Sequence, residues 1–127
     1  MNQSLALNLK KFNLTNKPLN LFRLEVLRLI TDYTNELDVS CKQIKLKSLR
    51  SRWGSCTRAG VITINLKLKE LPSELLDYVV YHECLHLIYH NHGVGFQARL
   101  RAKFPHAREL NKDLKIFGTK LLKQKTA

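Results

Sequence analysis

The stretch YVVYHECLHL, residues 78–87, places two histidines and a glutamate inside an otherwise apolar run. His82 and His86 are four residues apart, which puts them on one face of a helix and about 6 Å apart along its axis. If that face is buried without a metal, each of its polar groups, Glu83 included, needs another partner. The stretch therefore predicts a helix that binds an ion on the face that carries these polar residues.

The pentapeptide HECLH, residues 82–86, has the HExxH spacing that is typical of a metal site. Two imidazoles one helical turn apart can converge on one ion, and we expect one zinc ion per chain. Glu83 is rotated by about 100° from His82, so its carboxylate flanks the ion and can accept a proton from the attacking water. We predict that His82 and His86 are ligands and that Glu83 is the general base.

A catalytic zinc site needs a third protein ligand, and the candidates are His90 and His92. In a continuous helix they would lie about 12 and 15 Å along the axis from the first ligand, too far for one ion. His92 can return to the ion if the helix ends first. Asn91 tolerates the left-handed conformation that ends helices, and Gly93 and Gly95 loosen the chain beyond it. The sequence favours His92 over His90.

The hydrophobic pattern predicts an α+β fold, in which a small antiparallel or mixed sheet packs on helices. We expect an N-terminal extension over residues 1–20 and a single domain over residues 21–127. The predicted elements are a helix over 21–37, a strand over 42–49, two strands within 51–68 around a turn at 57–60, a helix from Pro72 to the break at Asn91, a helix over 96–104 and a final helix after Pro105.

Four segments in a fixed order carry a resemblance to a known family: RWGSC at 52–56, VITINLKL at 61–68, LPSELLDYVVYHECLHL at 71–87 and NHGVGF at 91–96. Together they resemble the YgjP-like metal-dependent hydrolases, small zincins related to the SprT-like proteases. The resemblance covers about residues 40–118. The metzincins space three histidines similarly, but they place a glycine at the position of Tyr89, which argues against them.

The resemblance implies a zincin-like fold, in which a short sheet packs on the HExxH helix, with ligands His82, His86 and His92 and the base Glu83. It also implies that VITINL is the strand nearest the cleft. Such a strand could hold an extended peptide by strand addition. The substrate-binding residues would then be Ile62, Thr63 and Ile64.

The chain departs from the family pattern at several positions near the site. Leu85 stands where HExxH usually has a small residue, and Gly93 stands where the family tends to have serine. The motif also continues as Gly95-Phe96-Gln97, where the family tends to end in Phe-Trp. These changes affect the shape of the cleft and leave the metal triad intact.

The three cysteines, Cys41, Cys56 and Cys84, are an odd number without a CxxC pair, which favours free thiols in a reducing compartment. The sequence contains no apolar run of the roughly 18 residues that a membrane span needs. The N-terminus also lacks the features of a signal peptide. We therefore expect a cytoplasmic protein without a membrane partner.

The net charge of +12 favours polyanionic partners, above all nucleic acid. Nine Lys/Arg lie between Arg99 and the C-terminus, whereas the same segment has only two acidic residues, Glu109 and Asp113.

Three functions are compatible with the sequence. The favoured one is a zinc-dependent hydrolase that acts on peptides or proteins. The alternatives are a nucleic-acid-associated, SprT-like protease that docks through its basic surface, and a non-catalytic zinc-stabilised binding module. Candidate oxyanion donors for the hydrolase are Tyr89, His90, His106 and Arg108.

Overall fold

The computed structural model describes residues 16–122 and confirms the α+β class. Helix α1 begins two residues before its predicted start, and residues 1–15 of the predicted N-terminal extension lie outside the described residues. The elements are helix α1 (Leu19–Leu37), strands β1 (Gln43–Lys47), β2 (Gly54–Cys56) and β3 (Val61–Asn65), a short 3-10 helix (Leu66–Glu70), and helices α2 (Ser73–Leu85), α3 (Val94–Lys103) and α4 (Ala107–Leu121).

The three strands form a mixed sheet with the order β1-β3-β2. β3 runs parallel to β1 and antiparallel to β2. The connection from β2 to β3 is the predicted turn, which the Gly60 amide closes by donating to the Thr57 carbonyl over 2.9 Å. Gly60 has a φ of 93°, a left-handed conformation that side chains rarely adopt, and this explains the glycine at that position.

The prediction that β3 holds a peptide by strand addition is wrong. Strand addition requires an unpaired edge. Ile62, Thr63 and Ile64 pair with β1 on one side and with β2 on the other, and all three are buried. The sheet edge next to His82 and Glu83 belongs to β2, at Gly54.

Helix α2 is the centre of the fold. It contacts the other three helices, the 3-10 helix and strands β2 and β3. Nine of its 13 residues are buried, so its sequence is apolar on nearly every side. This burial explains why the polar residues at its C-terminal end lie against neighbouring elements instead of open solvent.

The end of α2 differs from its prediction. The sequence places the break at Asn91, whereas the helix ends at Leu85 and the chain continues in tight turns. The amides of His86, Leu87 and Ile88 donate to carbonyls three residues earlier, at distances of 3.0–3.1 Å. Such bonds tighten the last turn of a helix. The helix therefore ends five residues earlier than a break at Asn91 predicts.

Candidate metal centre

Three imidazoles converge where α2 ends. His82 lies in the last turn of α2, His86 is its C-cap residue, and His92 lies in the loop that leads into α3. Their nitrogens lie within 4.8 Å of one another, and the three residues form a group that could hold a metal ion. His90, the alternative third ligand, is exposed and lies outside this group.

Hydrogen bonding fixes which nitrogen of His86 faces the centre. Its Nδ1 lies 2.9 Å from the carbonyl oxygen of Tyr89. A carbonyl can only accept, so Nδ1 is the donor and Nε2 is the nitrogen that faces the centre. That Nε2 lies 2.9 Å from Nε2 of His92. Nitrogens that bind one zinc ion tetrahedrally at about 2.1 Å lie about 3.4 Å apart, so these two atoms would need to separate by about half an ångström to share an ion.

His92 closes the triad from the exposed side. Although His92 is largely exposed, partial desolvation of its ring, followed by the neighbouring charges of His82 and His86, lowers its pKa. A lowered pKa favours the neutral imidazole, which is the form that binds metal. Three imidazole nitrogens within 4.8 Å of one another therefore fit a divalent metal such as zinc.

The Phe96 ring packs against all three imidazoles. Its ring centroid lies 4.9 Å from that of His82 and 4.7 Å from those of His86 and His92. Phe96 is only 1% exposed and belongs to the hydrophobic core. The first turn of α3 therefore packs against imidazoles that come from two other segments.

Glu83 points toward the sheet and is 6% exposed. Its Oε2 lies 3.4 Å from Nδ1 of His82. A Cβ built on Gly54 would lie 3.1 Å from that same Oε2 and 3.2 Å from the Thr63 carbonyl oxygen. The glycine of RWGSC therefore leaves room for the carboxylate, a role that sequence reasoning missed because the two residues are far apart in the chain.

Asn65 and Trp53 hold the loop that precedes β2. The buried Asn65 side chain donates from Nδ2 to the carbonyls of Leu49 and Arg52 at 3.0 and 2.9 Å, and its Oδ1 accepts from the Lys67 amide at 2.9 Å. Trp53 Nε1 donates to the Leu114 carbonyl at 3.0 Å. These bonds connect the loop to β3 and to α4.

A cleft of about 600 Å³ opens beside His82 and Glu83, between the loop at residues 50–54 and helix α4. Tyr78 and Asn111 lie in its wall, and the Tyr78 hydroxyl donates to Oδ1 of Asn111 at 2.8 Å. None of the four oxyanion donors proposed from the sequence lines this cleft. His106 is exposed beside Glu109 instead, with 3.1 Å between Nδ1 and Oε1.

The family model described as "YgjP-like, metallopeptidase domain" matches residues 11–117. The chain belongs to this family. The match includes the triad, Glu83 and the loop that carries Gly54, and it confirms the resemblance seen in the sequence. A search of curated proteins gave no significant match.

Two solved metallopeptidase zymogens share the fold of this YgjP-like chain. Jannalysin of Methanocaldococcus jannaschii is 25% identical over 76% of this chain and 90% of its own, with a TM-score of 0.64. Abylysin of Pyrococcus abyssi is 22% identical over 76% of this chain and 94% of its own, with a TM-score of 0.62. Both similarities agree with the zincin-like architecture expected from the sequence.

The thiols of this YgjP-like chain lie outside the group of candidate ligands. Burial, followed by the Glu83 carboxylate, raises the pKa of Cys56 to about 11. Burial raises the pKa of Cys84 to about 12. Because the thiolate is the form that binds metal, both cysteines are poor ligands at neutral pH. Among residues 16–122, no helix is long and apolar enough to cross a membrane.

Proposed function

We propose that this protein is a zinc-dependent peptidase in which His82, His86 and His92 hold the ion and Glu83 is the general base. The convergence of three imidazoles next to a buried carboxylate carries this proposal. The family match supports metal-dependent peptide hydrolysis as the class of reaction. Three imidazole ligands favour zinc, and a site with three protein ligands leaves a coordination position open for catalysis.

We assign proton transfer to Glu83, which is not among the candidate ligands. When bound, the zinc ion supplies a Lewis acid that polarises the scissile carbonyl and lowers the pKa of the attacking water. Glu83 then accepts the proton from that water and donates it to the leaving amine nitrogen. Because Gly54 has no side chain, the carboxylate has room at the edge of the cleft, which we take as the substrate-binding site.

Asn111 is the residue we assign to the developing oxyanion. Its Oδ1 accepts from the Tyr78 hydroxyl, which leaves the two N–H groups of Nδ2 for other acceptors. Tyr78 lies one helical turn before His82, and their ring centroids are 6.2 Å apart. A neutral amide donor held in this way can stabilise negative charge without binding metal itself.

The open cleft favours an enzyme over a purely structural zinc site. A structural site is closed by four protein ligands and needs no general base. Here the candidate group has three residues, and a cleft of about 600 Å³ borders Glu83. Nothing in the described residues favours a SprT-like role on nucleic acid to a similar degree, so we propose peptides or proteins as substrates.

The decisive experiment measures zinc per chain by inductively coupled plasma mass spectrometry in the wild type, His92→Ala and His90→Ala. These two histidines are both exposed and lie two residues apart, so they form a matched pair. We expect about one zinc in the wild type and in His90→Ala and much less in His92→Ala. Zinc retained in His92→Ala would contradict the triad.

The second measurement tests the base. Glu83→Gln has nearly the same shape and cannot accept the proton, so it should keep zinc and lose hydrolysis of a quenched fluorescent peptide by about a hundredfold or more. Loss of zinc or of folding in Glu83→Gln would mean that Glu83 is structural. Wild-type hydrolysis by this variant would exclude it as the base.

A further inference from the structure

We propose that the cleft beside the triad binds a carboxylate of the substrate and that Arg50, Arg52 and Lys115 select it. The inference rests on the proposed peptidase function and names its preferred substrate class, acidic peptides. Three of the lining residues are cations, and the only carboxylate among them is Glu83, which belongs to the catalytic site.

The three cations have no acidic partner within the described part of the chain. The ion pairs formed there use Lys17, Arg28, Lys103 and two histidines, and none of them includes Arg50, Arg52 or Lys115. All three side chains are exposed. Positive charge on both sides of a cleft attracts an anion more strongly than the same charges scattered over a surface.

Two of the cations lie on a fixed loop. Asn65 binds the carbonyls of Leu49 and Arg52, so the backbone on both sides of Arg50 is anchored to the buried end of β3. The third cation, Lys115, lies on α4 across the cleft. Because the backbone positions are set before a ligand arrives, little backbone entropy is lost on binding.

The wall between these cations is largely apolar. It includes Trp53, Val79, Leu114 and Leu122. Apolar walls lower the local dielectric and strengthen charge pairs relative to open solvent. They also suit the aliphatic part of a glutamate side chain. A volume of about 600 Å³ is in the range of sites that enclose small ligands, which favours a peptide segment over a nucleic-acid duplex.

The chain contains its own probe for this cleft. Trp53 is its single tryptophan and lies in the cleft wall, so intrinsic fluorescence reports binding there. We would titrate the zinc-loaded Glu83→Gln variant with short alanine-based peptides that are acetylated and amidated and differ only in a central Glu or Gln. A Gln peptide with a free C-terminus distinguishes a terminal carboxylate from a side-chain carboxylate.

We expect the Glu peptide, the free-acid peptide or both to bind about tenfold more tightly than the capped Gln peptide at low salt, and the preference to shrink as salt is added. Added in the Glu83→Gln background, Arg52→Gln and Lys115→Gln should each reduce the preference to about twofold or less. The matched controls are Lys112→Gln on α4 and Arg23→Gln on α1, which are exposed and lie outside the cleft. They should keep the preference, and circular dichroism checks that every variant folds.

Equal affinity for the capped Glu and Gln peptides, with no gain from a free C-terminus, would overturn the inference. So would an equal loss of preference in Lys112→Gln and Lys115→Gln, because general surface charge would then explain it. A single-stranded oligonucleotide that changes Trp53 fluorescence while the peptides bind equally would instead identify a nucleic-acid site.

The outcome is separable from the proposed function because binding is measured without turnover. Hydrolysis by the wild type without any acidic preference would leave the peptidase intact and remove the carboxylate site. A carboxylate preference in a protein that never hydrolyses peptides would support the carboxylate site and contradict the peptidase function.

Discussion

The carboxylate of Glu83 lies against Gly54, so that a Cβ at residue 54 would stand 3.0 Å from Glu83 Cγ and 3.1 Å from its Oε2. Contacts this short force a neighbour to give way by a few tenths of an ångström. The Thr63 carbonyl, 3.2 Å from the same Cβ, is part of the sheet and resists movement. The glutamate is therefore the group that would move.

Gly54→Ala should lower kcat/KM by about tenfold or more while zinc content stays near one per chain. The reason is that a general base displaced by a fraction of an ångström transfers protons poorly, whereas none of the three atoms nearest to a Cβ at residue 54 belongs to a histidine. The measurement is peptide hydrolysis with metal analysis on the same sample. Gly118→Ala is the control for folding and metal content, because its Cβ would meet nothing closer than 3.6 Å. Unchanged kcat/KM in Gly54→Ala would contradict the assignment.

The sequence predicted the parts of the site that depend on local geometry. The spacing of His82 and His86 is a property of one helical turn, and it needs no knowledge of the rest of the fold. The favoured third ligand, His92, required only that the helix end before it. The structure places all three imidazoles together.

The parts that the sequence could not supply depend on contacts between distant segments. The sequence pattern predicts the end of α2 at Asn91, but the chain leaves the helix at His86, where the Tyr89 carbonyl accepts from the imidazole. The central position of β3 follows from its parallel pairing with β1, which no alternation pattern reveals. Some of the excess basic residues also form ion pairs within the fold, as Lys103 Nζ does with Glu36 Oε1 at 2.9 Å.

Phe96→Leu should weaken zinc binding by about tenfold with a modest loss of stability. Leucine keeps the core apolar but removes the flat surface that contacts all three imidazoles, and supporting residues of this kind commonly change metal affinity by about 10–100-fold. Competition with a fluorescent chelator gives the affinity. Phe104→Leu is the matched control, since that ring contacts Tyr78 and Tyr81 instead. Equal zinc affinities in the two variants would show that Phe96 only fills the core.

Asn65→Asp should lower the free energy of unfolding by about 2–4 kcal/mol. The replacement puts a carboxylate oxygen where Nδ2 now donates to two backbone carbonyls, and both carbonyls lose their donor inside the protein. Urea unfolding followed by Trp53 fluorescence measures the change. Asn20→Asp, at an exposed position of α1, should change stability by less than about 0.5 kcal/mol. A similar small effect at residue 65 would mean that the loop does not depend on this side chain.

Tyr33→Phe should destabilise the protein at pH 7 by about 1–2 kcal/mol, because it removes the hydroxyl that α1 donates to Asp77 of α2. Burial, followed by the hydrogen bond to Asp77, raises the pKa of Tyr33. A raised folded-state pKa gives stability that is complete below the unfolded pKa of about 10 and is lost as pH rises through the folded value. The wild-type advantage over Tyr33→Phe should therefore shrink above about pH 10.

The control for this pH dependence is Tyr81→Phe. The Tyr81 ring packs edge-on against Tyr33 at 4.9 Å between centroids, and burial also raises its pKa. No hydrogen bond from its hydroxyl to another residue is seen in the described region, so its removal should cost much less at pH 7. Urea unfolding of the wild type and both variants between pH 7 and pH 11 separates the two effects. An advantage over Tyr33→Phe that persists unchanged at pH 11 would show that the protonated hydroxyl is not what joins α1 to α2.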